Sequence, residues 1–176
     1  MNISKHFICI AVFLLTLLFS SCNLGNKNVD HGYYVQDFDN LYYWYHPAQV
    51  TKERAHSGSY STYVDETHPF SQTFEMNLGE AKYKGYKKIR IKAWCFKETV
   101  DTQAGLSASV TSGSTQLAYN SSDLAVNLLR PQSWGLCTFS LDLPEENPAD
   151  GLIRVYLWTV AGHKAYVDDV EIIFKK

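Results

Sequence analysis

The chain of 176 residues carries 16 Lys and Arg against 18 Asp and Glu, a formal net charge of −2 with histidine neutral. Near neutrality excludes a nucleic-acid partner, which would demand a strong basic excess to neutralise phosphates. The length left after an N-terminal leader fits one domain, and the core such a domain buries can fold it without a disulfide framework.

Residues 1–21 have the layout of a secretory signal: Lys5 and His6 precede an unbroken apolar run from Phe7 to Phe19, followed by Ser20 and Ser21. The run falls short of the about 20 apolar residues that a membrane-spanning helix needs, so it reads as cleaved. Its end, "LLFSSC", resembles the lipobox of bacterial lipoproteins, in which small residues precede a cysteine that is acylated and becomes the new N-terminus. The resemblance implies that Cys22 carries acyl chains such as palmitate and holds the protein on the bacterial cell envelope, at the outer membrane. Several chains anchor stably where one is marginal. Residues 22–32, "CNLGNKNVDHG", then read as the lipidated cysteine and a polar tether, leaving 33–176 as the folded domain.

The domain opens with "DFDNLYYWYHP", in which alternation sets Tyr43 and Tyr45 opposite Tyr42 and Trp44, one pair buried and the other partly exposed. Further along, "KIRIKAWCF" puts Ile89, Ile91, Ala93 and Cys95 on one face and Arg90, Lys92, Trp94 and Phe96 on the other. "GLSASV", "CTFSLDL" and "LIRVYLWTV" repeat the pattern, with Leu106, Ala108 and Val110, then Phe139, Leu141 and Leu143, then Ile153, Val155 and Leu157 on the apolar side. Between them, "SSDLAVNLL" offers one or two helical turns capped by Ser122 or Asp123. Half-buried strands punctuated by turns predict an all-β fold, a two-sheet antiparallel β-sandwich of jelly-roll or related type.

Two strands carry an unusual outer face. Arg90, Lys92, Trp94, Arg154, Tyr156 and Trp158 join flat rings, on which the C–H face of a sugar stacks, to charged donors for its hydroxyls. The expectation is a shallow ligand-binding platform on one sheet; the alternative is that a loop covers Trp94 or Trp158. Cys95 and Cys137 either pair in this exported protein or are two buried thiols. His31, His46, His56, His68 and His163 lack the short spacings of a zinc site. No nucleophile elbow, phosphate loop or metalloprotease motif occurs, so no catalytic residue is assigned.

Three separated stretches, "DFDN", "AHSGSYS" and the terminal "YVDDVEIIF", together resemble the galactose-binding-like jelly rolls, including the carbohydrate-binding modules appended to glycanases. In that family the three segments meet at one edge of the sandwich and commonly hold a structural calcium. The resemblance implies Asp37, Asp39, Ser57, Gly58, Asp168 and Asp169 as a calcium site, with carboxylate and carbonyl oxygens as ligands. Alternation sends Asp168 and Asp169 to opposite sides, so only one of them reaches the ion. The other reading is that these acids end strands and discourage edge pairing.

The function expected is non-catalytic binding of a glycan or polysaccharide by a lipid-anchored envelope protein. The rival is a structural or assembly lipoprotein whose sandwich binds another envelope protein, since exposed aromatic and Arg residues also suit protein interfaces. A small glycanase or polysaccharide lyase is a weaker alternative, because so short a domain has few long loops to build a cleft.

Overall fold

The structure, a computed structural model, describes residues 32–40, 44–45, 49–83, 85–146, 148–160 and 162–176. The leader, Cys22, the tether as far as His31 and the pairing of Tyr42 to Tyr45 lie outside the described residues, except for the strand backbone of 44–45.

Among the described residues the short-period runs fold into eleven strands and two brief helices. The strands are β1 (Tyr33–Gln36), β2 (Trp44–Tyr45), β3 (Val50–Thr51), β4 (Ser61–Val64), β5 (Thr73–Asn77), β6 (Lys88–Lys97), β7 (Ala104–Ser112), β8 (Thr115–Asp123), β9 (Trp134–Asp142), β10 (Gly151–Thr159) and β11 (Ala165–Lys175). The helices are α1 (Leu78–Tyr83) and α2 (Leu124–Asn127). A six-stranded sheet runs β3-β4-β11-β6-β9, with β1 also pairing β11, and a five-stranded sheet runs β2-β5-β10-β7-β8. Every strand pair is antiparallel.

The alternation expected from sequence is what seals the two sheets together. Ile89, Ile91, Ala93 and Cys95 of β6 are buried, as are Leu106, Ala108 and Val110 of β7 and Ile153, Val155 and Leu157 of β10. Each large aliphatic side chain taken out of water contributes about 1.5–3 kcal/mol, so these inner faces dominate the stability. At one side the edge strands β8 and β9 meet, and Asn120 Nδ2 donates to the Ser140 carbonyl at 2.7 Å. That contact uses a carbonyl which an edge would otherwise leave open.

Asp123 is the N-cap of α2 and accepts the Ala125 amide at 2.7 Å, while Ser122 lies buried in β8. Helix α1 is not expected from the apolar pattern of the sequence. Its signal is Asn77, whose side chain accepts the Gly79 amide at 2.7 Å, with Leu78 and Ala81 turned into the core. Cys95 and Cys137 are buried free thiols on neighbouring strands. They sit diagonally, since Cys137 opposes Ala93 and Cys95 opposes Gly135. Burial pushes the Cys95 thiol well up.

Strand β11 organises the interior of the first sheet. One side of it pairs with β6 along its length, and the other side is divided between β4, opposite Ala165 to Val167, and β1, opposite Val170 to Ile173. Between those halves Asp168 opposes Trp94 while Glu171 opposes Lys92, a bulge in which Asp169 takes a positive φ of 46°.

The register corrects one expectation. Strand β6, with Arg90, Lys92 and Trp94, belongs to the first sheet, whereas β10, with Arg154, Tyr156 and Trp158, belongs to the second. The outward side chains of the two strands therefore stand on opposite faces of the sandwich. Period-two patterning tells inside from outside but is blind to which sheet a strand joins.

Candidate functional site

The outer face of the first sheet is roofed by its own chain. Residues around Arg54 to Ser59 cross it, and the His56 ring stacks on Trp94 with centroids 4.0 Å apart and planes inclined by 12°. Trp134 meets the same imidazole edge-on at 5.7 Å. The Arg54 guanidinium lies 4.4 Å from the Phe96 centroid and bonds Glu98 at 2.9 Å. Lys92 pairs with Glu171 at 3.4 Å, and Arg90 is exposed. Of the expected platform, Trp94 is thus covered by a loop, Lys92 is held in an ion pair and Arg90 alone of this half stands exposed.

That roof is stapled down by the paired aspartates. Asp168, fully buried, accepts the amides of His56 at 2.7 Å and Ser57 at 3.2 Å through Oδ2, and the Asp169 amide at 2.8 Å through Oδ1. Asp169 accepts the Ser57 hydroxyl at 2.7 Å and meets His56 Nδ1 at 2.5 Å. The bulge is why both side chains reach one loop, where simple alternation had sent them apart. Burial pushes Asp168 up to about 6, against the amides of His56, Asp169 and Ser57, which favour its charged form.

Asp39 takes the Ser59 amide on both oxygens at 3.0 Å, and Asp37 accepts the amides of Asp39 and Asn40 at 3.1 and 3.2 Å. Gly58 has a φ of 58°, and a Cβ there would stand 1.9 Å from Asp39 Oδ2. The three motifs of the sequence do meet, but these carboxylates face N–H, O–H and imidazole groups. Among the described residues, no cluster of three or more His, Cys, Asp or Glu is placed to hold a metal ion. As arranged, Asp37, Asp39, Ser57, Gly58, Asp168 and Asp169 form a hydrogen-bonded staple where the three motifs meet.

The outer face of the second sheet is open. On β10, Arg154 stands 3.4 Å from Glu75 of β5 and donates to Thr111 of β7 at 3.4 Å. Tyr156, the next outward residue, meets the exposed Phe70 edge-on at 5.7 Å. Arg154, Thr111, Tyr156 and Phe70 line a groove of about 290 Å³ with Thr73, Ser109 and Gln116. Phe70 and Thr73 are shared with a second hollow of about 410 Å³ bordered by Gln49, Thr67 and His68. Phe70 is therefore a ridge between two adjoining depressions.

The electrostatics of this face are balanced locally. Arg154 has Glu75 beside it, and His68 Nδ1 lies 3.0 Å from Asp65. Burial alone would raise Asp65, but hydrogen bonds from Thr67 and His68 outweigh it and hold the carboxyl below its ordinary 3.8. Burial, with Tyr119 nearby, raises the Tyr156 hydroxyl, while Ser109 and Arg154 pull the other way.

Trp158 completes the row, its Nε1–H donating to Ser107 Oγ at 2.6 Å. Its indole lies on Gly105, where a Cβ would come within 2.8 Å of Nε1. Arg154, Tyr156 and Trp158 of this face are expected from the sequence, whereas Phe70, Tyr119, Glu75 and the placing of His68 are not. Tyr119 sits in β8, whose mostly exposed pattern hides any period, and Phe70 follows Pro69 in a loop that periodicity cannot read.

No family model matches the chain, and no curated protein does. Solved structures do. The xylan-binding domain CBM22-1 from Paenibacillus barcinonensis Xyn10C superposes with a TM-score of 0.53 at 13% identity, over 81% of this chain and 94% of that one. The C-terminal family 22 carbohydrate-binding module of Clostridium thermocellum Xyn10B gives 0.54 at 15%, over 82% and 94%. The CBM22-2 xylan-binding domain of the Paenibacillus enzyme gives 0.52 at 16%, over 81% and 99%. Such identities speak to architecture alone, and with the two antiparallel sheets they show that this chain has a two-sheet β-sandwich fold of jelly-roll type, like that of these modules.

Proposed function

We propose that the domain binds a neutral glycan, without catalysis, on the open face of its second sheet, and that acyl chains on Cys22 hold it at the bacterial outer membrane. The observation that carries this is the groove on β10, where Tyr156 and Phe70 offer rings beside the Arg154–Glu75 pair. Sugar recognition combines apolar ring faces with a few placed donors and acceptors. Because Arg154 and His68 each have a carboxylate partner, the face suits uncharged hydroxyls better than a polyanion. The fold likeness to modules described as xylan-binding supports the same reading. The N-terminal pattern of residues 1–22 supports the anchor.

Titration with xylohexaose and β-1,4-galactotriose tests the reading. Wild-type binding that Tyr156→Ala weakens at least about tenfold, or about 1.4 kcal/mol, with little change in melting temperature, supports it. Failure of a panel of neutral polysaccharides to bind would remove it.

One observation favours the rival, a protein-docking envelope lipoprotein. Val100, Leu129 and Val160 are 66%, 94% and 44% exposed on loops, and Val126 is 72% exposed on α2. These loops follow β6, β8 and β10 at one end of the sandwich. A partner lost on Leu129→Ser, from membranes solubilised in detergent, would favour that reading.

A further inference from the structure

Resting on the glycan-binding reading of the second sheet, we infer that Ser107 is a positioning residue. Its hydroxyl locks Trp158 and Tyr119 and sets which neighbouring hydroxyls present a proton and which a lone pair.

Ser107 Oγ has three contacts: Trp158 Nε1 at 2.6 Å, Tyr119 Oη at 3.0 Å and Ser121 Oγ at 3.0 Å. An indole N–H can only donate, whereas a serine hydroxyl has one proton and two acceptor positions. Ser107 donates to Ser121, so it accepts from Trp158 and takes the Tyr119 proton on its remaining lone pair. All its capacity is then in use. Ser107 is fully buried and cannot itself touch a ligand.

The polarity of the outward groups follows. Tyr119, 44% exposed, has given its proton inward and shows the open face only lone pairs. Ser121, two residues on along the same side of β8, has accepted inward and keeps its own proton free to turn outward. An acceptor and a donor side by side, next to an indole shelf, match two neighbouring hydroxyls of one sugar ring. One hydroxyl donates to Tyr119 and the other accepts from Ser121. The shelf is fixed from below as well, because Gly105 leaves no Cβ between the indole and the β7 backbone.

The test compares wild type with Ser107→Ala and the near-isosteric Ser107→Cys, with unchanged folding checked by thermal melting. The first readout needs no ligand: the indole N–H resonance of Trp158 should move and its exchange with solvent quicken about tenfold in the Ala variant, with Cys intermediate, as expected for loss of one hydrogen bond. An unchanged Trp158 N–H in Ser107→Ala overturns the inference, whatever the glycan result. The second readout is titration with xylohexaose and β-1,4-galactotriose, where affinity should fall about tenfold in Ser107→Ala and recover in part in Ser107→Cys. Equal binding by wild type and Ser107→Ala also overturns it. If wild type binds neither sugar while the N–H signal changes as stated, the lock stands and the glycan reading is what fails.

Discussion

The buried carboxylate of Asp168 accepts the backbone amide of His56 at 2.7 Å, tying together two residues 112 positions apart in the chain. Through the adjacent Asp169, the same bulge takes the His56 imidazole and the Ser57 hydroxyl. One strand irregularity thereby holds the loop that roofs the first sheet.

Asp168→Ala should destabilise the domain by about 3 kcal/mol, because the part-buried amides of His56, Ser57 and Asp169 lose their acceptor and each orphaned group costs about 1–3 kcal/mol where water does not replace it. Asp168→Asn keeps one acceptor oxygen and should cost less. Urea denaturation measures both, and equal stability of Ala variant and wild type would contradict the staple.

Gly58→Ala should cost about 1–3 kcal/mol, combining the penalty of a positive φ with displacement of the Asp39 carboxylate. The same substitution at Gly113, also at positive φ but with open space around it, should show the backbone part alone. The difference between the two unfolding free energies reports the contact with Asp39.

Calcium and chelator should leave the melting temperature unchanged. A specific ion present at a hundredfold over its Kd would add about 2.7 kcal/mol, a shift of several degrees in a domain of this size. A shift of that order, absent in Asp169→Asn, would mean that the staple opens to take the ion expected from the family resemblance.

Asp65 supplies an acid-sensitive contribution. Its carboxyl is held below 3.8, so the stability it brings is complete above that value and is lost as pH falls through the lower folded-state value. Melting curves of wild type and Asp65→Asn should accordingly differ at pH 6 and converge toward pH 3. A constant difference across that range would contradict the assignment.

The jelly roll was legible because its inner faces obey strict alternation: Ile89, Ile91, Ala93 and Cys95 were placed as the structure has them. The meeting of "DFDN", "AHSGSYS" and "VDDV" was legible too, through family resemblance. The platform was half legible. Nothing in the pattern of β6 and β10 reveals that they belong to different sheets, since sheet membership is decided by long-range pairing. The orientation of Asp168 and Asp169 was misread because a bulge breaks the period from which it was inferred. Phe70 and Tyr119 escaped because one sits in a loop and the other on an exposed edge strand.

The most direct measurement is affinity electrophoresis in gels containing neutral polysaccharides, xylan and β-1,4-galactan among them, run on wild type, Tyr156→Ala and Trp94→Ala. The account predicts retardation of wild type and of Trp94→Ala, whose part-buried ring belongs to the roofed face and whose loss should lower stability by about 3 kcal/mol. It predicts none for Tyr156→Ala, which should melt close to wild type. Retardation that survives Tyr156→Ala and vanishes with Trp94→Ala in a folded protein would put the site on the first sheet and contradict the account.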